Sequence, residues 1–235
     1  MRLYCPPDDW SASGVRSPAT TYDPIVTPRF GRRVRLRPDG VAARILALIV
    51  LLAVLAACGA PPFEPTGPCT ADGRAPGAYP SLEALLPTAF RDRPPDRIDS
   101  GRNCSATSLG ALAANGVAEL RFAGATWDLG SSSGVTLAVF EAAQLRAEWV
   151  ARFYEAGARA GKQTETVEVR SVVLPGDRQA SRIDTLNGES YQSILVWPEG
   201  ERVRVALIAS FVREVDTKAA HEAVVTDALA AALAE

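Results

Sequence analysis

The second half of this 235-residue sequence predicts an α+β fold, with an antiparallel sheet of about six strands packed by two long amphipathic helices and two short helices ahead of them. Three observations predict it. Apolar and polar residues alternate at period two over 118–139 and again over 164–211. Turn-forming clusters divide those runs at short intervals. Two other stretches, 145–156 and 216–233, carry apolar residues at helical spacing instead.

Taken in order, Ser81 opens a short helix through Leu86 that Pro87 limits, and Ser105 or Thr107 opens a second carrying Leu109 and Leu112. Asn115-Gly116 stops the second. Between them, RDRPPDRIDSGRN reads as a solvated loop of mixed charge. Ala118, Leu120 and Phe122 then alternate with Glu119 and Arg121, and Val135, Leu137 and Val139 alternate after the turn Gly130–Gly134, which makes a β-hairpin. Leu145, Trp149, Phe153 and Ala156 form the stripe of the first long helix, which Gly161 ends. Four strands follow, Thr164–Leu174, Gln179–Leu186, Tyr191–Trp197 and Arg202–Phe211, divided by Pro175-Gly176-Asp177, Asn187-Gly188 and Pro198-Glu199-Gly200. Asn-Gly is expected to fill both turn positions, where positive φ is needed. The last helix begins near Asp216 as N-cap and carries His221, Val225, Leu229 and Leu233. The order is thus β-β-α-β-β-β-β-α.

Charge is unevenly distributed along the chain. Eight of the 25 basic and four of the 27 acidic residues precede Cys58, which leaves 17 against 23 and a net charge of −6 after it. Nucleic acid is therefore excluded as an expected partner, because its binding rests on Lys and Arg neutralising phosphates.

Ahead of Cys58, a basic stretch from Arg29 to Arg44 is followed by the unbroken apolar run Ile45–Ala57, the order of charge and hydrophobicity in a signal peptide. The run falls short of the roughly 20 residues that a spanning helix needs. Leu55-Ala56-Ala57-Cys58 resembles the bacterial lipobox. The resemblance implies a lipoprotein precursor: cleavage before Cys58, acylation of its sulfur, and an extracytoplasmic protein held to the cell membrane by that lipid. Arg32-Arg33 is followed by Val34-Arg35-Leu36-Arg37, a poor match to a twin-arginine signal, so the general secretory route is expected. Residues 1–57 then divide into a leader and a signal peptide. Its first 33 residues fit no ordinary signal peptide, and initiation at Val34 or Val41 is expected instead. Residues 58–80, rich in Pro and Gly, read as a tether, and 81–235 as the exported domain. The element order of that domain resembles the LpqN type of exported lipoprotein and the PsbP-like fold. No shared motif goes with this likeness, so no functional residue is carried over.

Cys69 and Cys104 form an even pair in an exported domain and are expected to be bridged. With no C-x-x-C spacing, a redox role is not favoured. His221, the single histidine, fits a hydrogen-bonded residue at the edge of the core better than a catalytic base. Ser131, Ser132 and Ser133 suit a hairpin tip, and Gly130–Gly134 lacks the Gly-Lys-Ser/Thr ending of a phosphate loop. Asp96 with Asp99, or Asp184 with Glu189, are candidate carboxylate pairs placed where solvated acids are routine. Asn103-Cys104-Ser105 matches a glycosylation acceptor in letters alone. Core packing accounts for Trp149, whereas Trp127 and Trp197 sit at strand ends and are expected to close a core rather than line a groove.

No catalytic residue, metal ligand, cofactor or ligand-binding residue is assigned from these patterns. The expected function is a non-enzymatic binding module for a protein, an envelope polymer or a small ligand. A hydrolase without a recognisable motif and a carrier of an apolar ligand are the alternatives, to be separated by the shape of the interior. Replacing the lipid-bearing residue tests the export reading. A Cys58→Ser precursor is expected to keep its leader and incorporate no labelled fatty acid, read by mass spectrometry and acyl labelling.

Overall fold

Period-two alternation becomes hydrogen-bonded strand over both predicted stretches. The computed structural model describes residues 63–211 and 218–234, so the lipobox, the leader and the expected Asp216 cap lie outside the described residues. Among the described residues, eight strands form one sheet: β1 (Gly73–Ala75), β2 (Arg97–Asn103), β3 (Leu120–Gly130), β4 (Ser133–Glu141), β5 (Thr164–Leu174), β6 (Arg178–Asn187), β7 (Ser190–Glu199) and β8 (Arg202–Phe211). They pair in the order β1-β2-β3-β4-β8-β7-β6-β5, every neighbour antiparallel. Five helices accompany them, α1 (Pro80–Glu83), α2 (Ala106–Leu109), α3 (Ala111–Ala114), α4 (Ala147–Ala160) and α5 (Lys218–Leu233).

The α+β expectation of about six strands is therefore corrected to a largely β structure built on one eight-stranded sheet. Both extra strands come from segments without alternation. β2 lies within the expected mixed-charge loop, and Ile98 is its one large apolar residue, so tertiary pairing with β3 and not patterning makes it a strand. β1 falls in the expected tether. Gly101 lets it approach β2 closely, since a Cβ there would clash with the Gly73 carbonyl oxygen.

Residues 63–80, read from the sequence as part of a tether, lie within the compact unit Phe63–Glu235. Arg102, buried on β2, explains how a Pro-rich segment is held without regular structure. Its Nη1 donates to the Gly67 carbonyl at 2.7 Å, and its Nη2 donates to those of Glu64 and Pro68 at 3.0 Å each. Nearby, Cys69 and Cys104 are bridged, with Cα atoms 5.7 Å apart. Asp72 completes this corner. Its carboxylate accepts from the amides of Cys104 and Ser105 and from the hydroxyls of Ser105 and Ser108, at 2.5–2.8 Å. Partial burial alone would raise its pKa; the hydroxyl and amide donors outweigh that and lower it to about 2. Ser105 caps α2 as expected, accepting from the Ser108 amide at 3.1 Å.

Both faces of the sheet are covered. On one, Ala123, Ala125 and Trp127 of β3, Val135, Leu137 and Val139 of β4, Leu195 and Trp197 of β7, and Ala206 and Ile208 of β8 pack with Val224, Val225, Ala228 and Ala232 of α5. Leu82, Leu86 and Phe90 close that core from the α1 end. On the other face, Ala138, Val196, Val203 and Val205 pack with Ala147, Val150 and Ala151 of α4 and with Leu109 and Leu112 of α2 and α3. The stripe of α4 is thus rotated from expectation: Trp149 and Phe153 are only partly buried at its flank, while alanines let the helix axis come close to the sheet. Trp127 and Trp197 are fully buried, as expected of core-closing residues.

Turn chemistry fixes the hairpins. Ser131 and Ser132 both adopt positive φ between β3 and β4, so the predicted five-residue turn tightens to two residues. In the β6–β7 hairpin Asn187 pairs with Ser190, which shifts the loop by one residue to Gly188–Glu189, and only Gly188 takes a positive φ, 56°. Replacing both Cys69 and Cys104 with serine is expected to lower the unfolding free energy by about 2–4 kcal/mol, read from urea melts with and without reductant on the parent.

Candidate functional site

The α5-facing side of the sheet changes character from one end to the other. Beneath the C-terminal half of α5 it is apolar, but toward β5 and β6 the same alternation presents Arg170, Arg182 and Asp184, with Ser193 of β7 opposite Asp184 and Ser210 of β8 opposite Tyr191. Over this polar end α5 lays His221 and Glu222. Ser193, Ser210 and His221 are each 1–2% exposed, and Arg182 and Asp184 are buried with them.

Five side chains form a continuous chain of hydrogen bonds. Ser193 Oγ donates to Asp184 Oδ1 at 2.5 Å, stands 2.9 Å from His221 Nε2, and accepts from Arg182 Nη2 at 3.2 Å. His221 Nδ1 lies 2.8 Å from Ser210 Oγ. A carboxylate only accepts, so the single Ser193 proton goes to Asp184 and His221 Nε2 must carry its own proton to donate. Nδ1 is then the acceptor for Ser210. One neutral tautomer satisfies Ser193, Ser210 and both ring nitrogens.

Charge in the cluster is balanced. Arg182 Nε donates to Asp184 Oδ1 at 2.8 Å and its Nη2 to Glu222 Oε1 at 2.6 Å, while Arg170 Nη2 pairs with Asp184 Oδ2 at 2.8 Å. Burial is the main cause that pushes His221 below its ordinary value of 6.5. Glu222 and Asp184 pull it back up, and Arg182 and Lys218 add to the depression. A cleft of about 130 Å³ opens against this network, with Thr166, Glu168, Leu186, Tyr191 and Lys218 around it and the Tyr191 ring 5.9 Å from the His221 ring.

Ser, His and Asp therefore meet, but not as a hydrolytic triad. In a triad the histidine takes the serine proton and the aspartate orients the histidine. Here the aspartate holds the serine proton, and the hydroxyl's lone pairs already face two donors. What the arrangement provides is a rigid, preorganised floor under a small cleft.

The structure disperses most of the other candidates. Asp96 accepts from the Asp128 amide at 2.8 Å, and Asp99 faces Arg97 and Arg74, so those two acids do not act together. Asp184 joins the buried network whereas Glu189 stands in the β6–β7 turn. Ser131 and Ser132 form a hairpin tip, and Ser133 accepts from the Phe211 amide. Trp127 Nε1 donates to the Arg93 carbonyl at 3.0 Å and lines no groove. Cys58 lies outside the described residues. Sequence reasoning missed Arg182, Ser193 and Ser210. The available signal was a run of polar residues at core-facing positions of strands, Arg182 and Asp184 two apart on β6 and Ser193 on β7.

Among the described residues no group of three or more His, Cys, Asp or Glu side chains is placed to hold a metal ion, and no helix is long and apolar enough to cross a membrane. Fold and site together define a largely β domain with a buried, charge-balanced network beneath one helix. No protein-family model matches this chain, and no curated protein matches it.

His221 carries a pH signature. Its folded pKa is depressed, so the unfolded chain binds the extra proton, and stability is complete above about 6.5 and lost as the pH falls toward the folded value. Urea midpoints of the parent are expected to hold between pH 8 and 7 and decline below 6.5. His221→Gln, less stable throughout, should lack that slope, which is assignable because this is the only histidine.

Proposed function

We propose that this chain is a lipoprotein, anchored outside the cytoplasm through an acylated Cys58, whose domain works by binding and not by catalysis. The observation that carries the reading is the Ser193 hydroxyl, whose proton and lone pairs are all engaged by Asp184, His221 and Arg182. A nucleophile needs a base free to take its proton, and none is free here. The carrier alternative is opposed by the cleft's size, about 130 Å³ against the roughly 300–1,000 Å³ of sites that enclose a small molecule. Both cores are lined by fully buried side chains, Trp127, Val135, Val139, Val150 and Val196 among them. A space of that size admits a small polar group or molecule. The ligand is a protein or envelope-polymer segment presenting such a group, or a small polar molecule, received beside Lys218, Tyr191 and Thr166.

The test is a hydrolase and transferase screen on the unit Phe63–Glu235, with Ser193→Ala and His221→Gln as controls. No turnover above the controls is expected. Turnover that disappears in either variant while the fold persists by circular dichroism would overturn the binding reading.

A further inference from the structure

We propose that β5 is the dimerisation edge of this protein: two copies pair β5 to β5, antiparallel, about a twofold axis at Val169. Glu168 of each copy then lies opposite Arg170 of the other.

Among the described residues, the sheet order leaves β5 with a neighbour on one side only, β6. An unpaired edge of eleven residues exposes a row of backbone donors and acceptors, and proteins ordinarily blunt such edges by shortness, proline or lysine. The opposite edge follows that rule, since β1 is three residues long. β5 does not follow it, because Thr164–Leu174 contains neither Pro nor Lys. It also carries two exposed large apolar side chains, Val169 at 43% and Val173 at 61%, both on the face turned away from α5. Exposed apolar groups on an unpaired strand are what a second strand would cover.

The occupant is a second copy because the strand is complementary to itself. A twofold axis perpendicular to the sheet keeps each side chain on its own face, so one residue must pair with its own counterpart. Centring on Glu168 sets Glu168 against Glu168, and centring on Arg170 sets Arg170 against Arg170. Each places like charges directly opposite, which is destabilising. Centring on Val167 or Ser171 leaves Glu168 and Arg170 against neutral residues. Only Val169 sets Glu168 against Arg170 twice, with Val169 against itself, Val167 against Ser171, and the third charge of the strand, Glu165, against Val173. Glu168 and Arg170 have side chains 64% and 42% exposed; Arg170 keeps its Nη2 on Asp184 at 2.8 Å, while its Nη1 makes only a loose 3.6 Å contact with Glu168 within one copy. The interface is isologous and closes at two copies, joining two sheets into one continuous sheet.

The unit Phe63–Glu235 contains both cores and the Cys69–Cys104 bridge, so it is suited to the test and has no free thiol. Sedimentation at tens of micromolar should give a dimer, on the order of a standard weak homodimer. Under mild oxidation Val169→Cys should cross-link, since directly opposed residues have Cα atoms about 4.5–5.5 Å apart. Val173→Cys should not, since its counterpart is eight residues away along the strands, roughly 27 Å. Glu168→Arg and Arg170→Glu should each weaken dimerisation by about tenfold or more, and the double exchange should restore it to within about threefold. A monomeric parent at about 100 μM, cross-linking at 173 as efficient as at 169, or a double exchange as weak as the single ones would overturn the proposal. Should a charge variant fail to fold, the two cysteine variants decide alone.

Discussion

The constraint on which the rest of the structure depends is that the central strands are apolar on both faces. Antiparallel sheets commonly leave one face to water, and their strands then alternate cleanly between apolar and polar. Here Leu195 and Trp197 of β7 face one core while Val196 faces the other, and on β8 Ala206 and Ile208 oppose Val203 and Val205 in the same way. Such a sheet must be covered twice. The helix α4 and the short pair α2 and α3 cover one side, and α5 with the segment around α1 covers the other. The route of the chain follows, because the connection from β4 to the far edge strand β5 has to cross a face, and α4 is that crossing.

Where the cores meet the sheet ends, buried arginines replace apolar side chains. Arg102 holds the carbonyls of Glu64, Gly67 and Pro68. Arg204 reaches Glu199 and the Leu85 carbonyl, and Arg182 joins Asp184, Ser193 and Glu222. A buried cation is costly to desolvate and repays this when fixed acceptors meet most of its donors; of Arg102, Nη1 and Nη2 are met and Nε is not. Each of these arginines therefore fixes one arrangement of backbone or side chains that a hydrophobic residue of similar size would leave undetermined. The irregular segment 63–72 has no ladder of its own, and the guanidinium of Arg102 supplies what a ladder would have supplied.

The candidate site is a product of the same rule applied under α5. One helix lies across an apolar region at one end and a polar one at the other, and its buried stripe changes from Val and Ala to His221 accordingly. The neutral imidazole suits this position because it donates to Ser193, whose own proton is committed to Asp184, and accepts from Ser210. The cleft beside it is bounded by groups already committed to one another.

Much of this protein was legible in its residues. Turn residues and period-two runs placed six strands to within about two residues, the cap of α2 was narrowed to Ser105 or Thr107, and Cys69 and Cys104 were paired, because each of these rests on chemistry local to a few neighbours or on pairing by elimination. Aromatic burial at Trp127 and Trp197 was legible for the same reason. Only the tertiary structure decided that part of the expected tether and part of the mixed-charge loop would become β1 and β2, because β2 is specified by its pairing with β3 and β1 by its pairing with β2, and not by a hydrophobic pattern of their own. Likewise, Asp184 could be singled out by sequence, but its union with Ser193, His221 and Ser210 depends on strand register and on where α5 comes to lie. Those are contacts between residues 9 to 28 positions apart or on separate elements, and no local spacing encodes them.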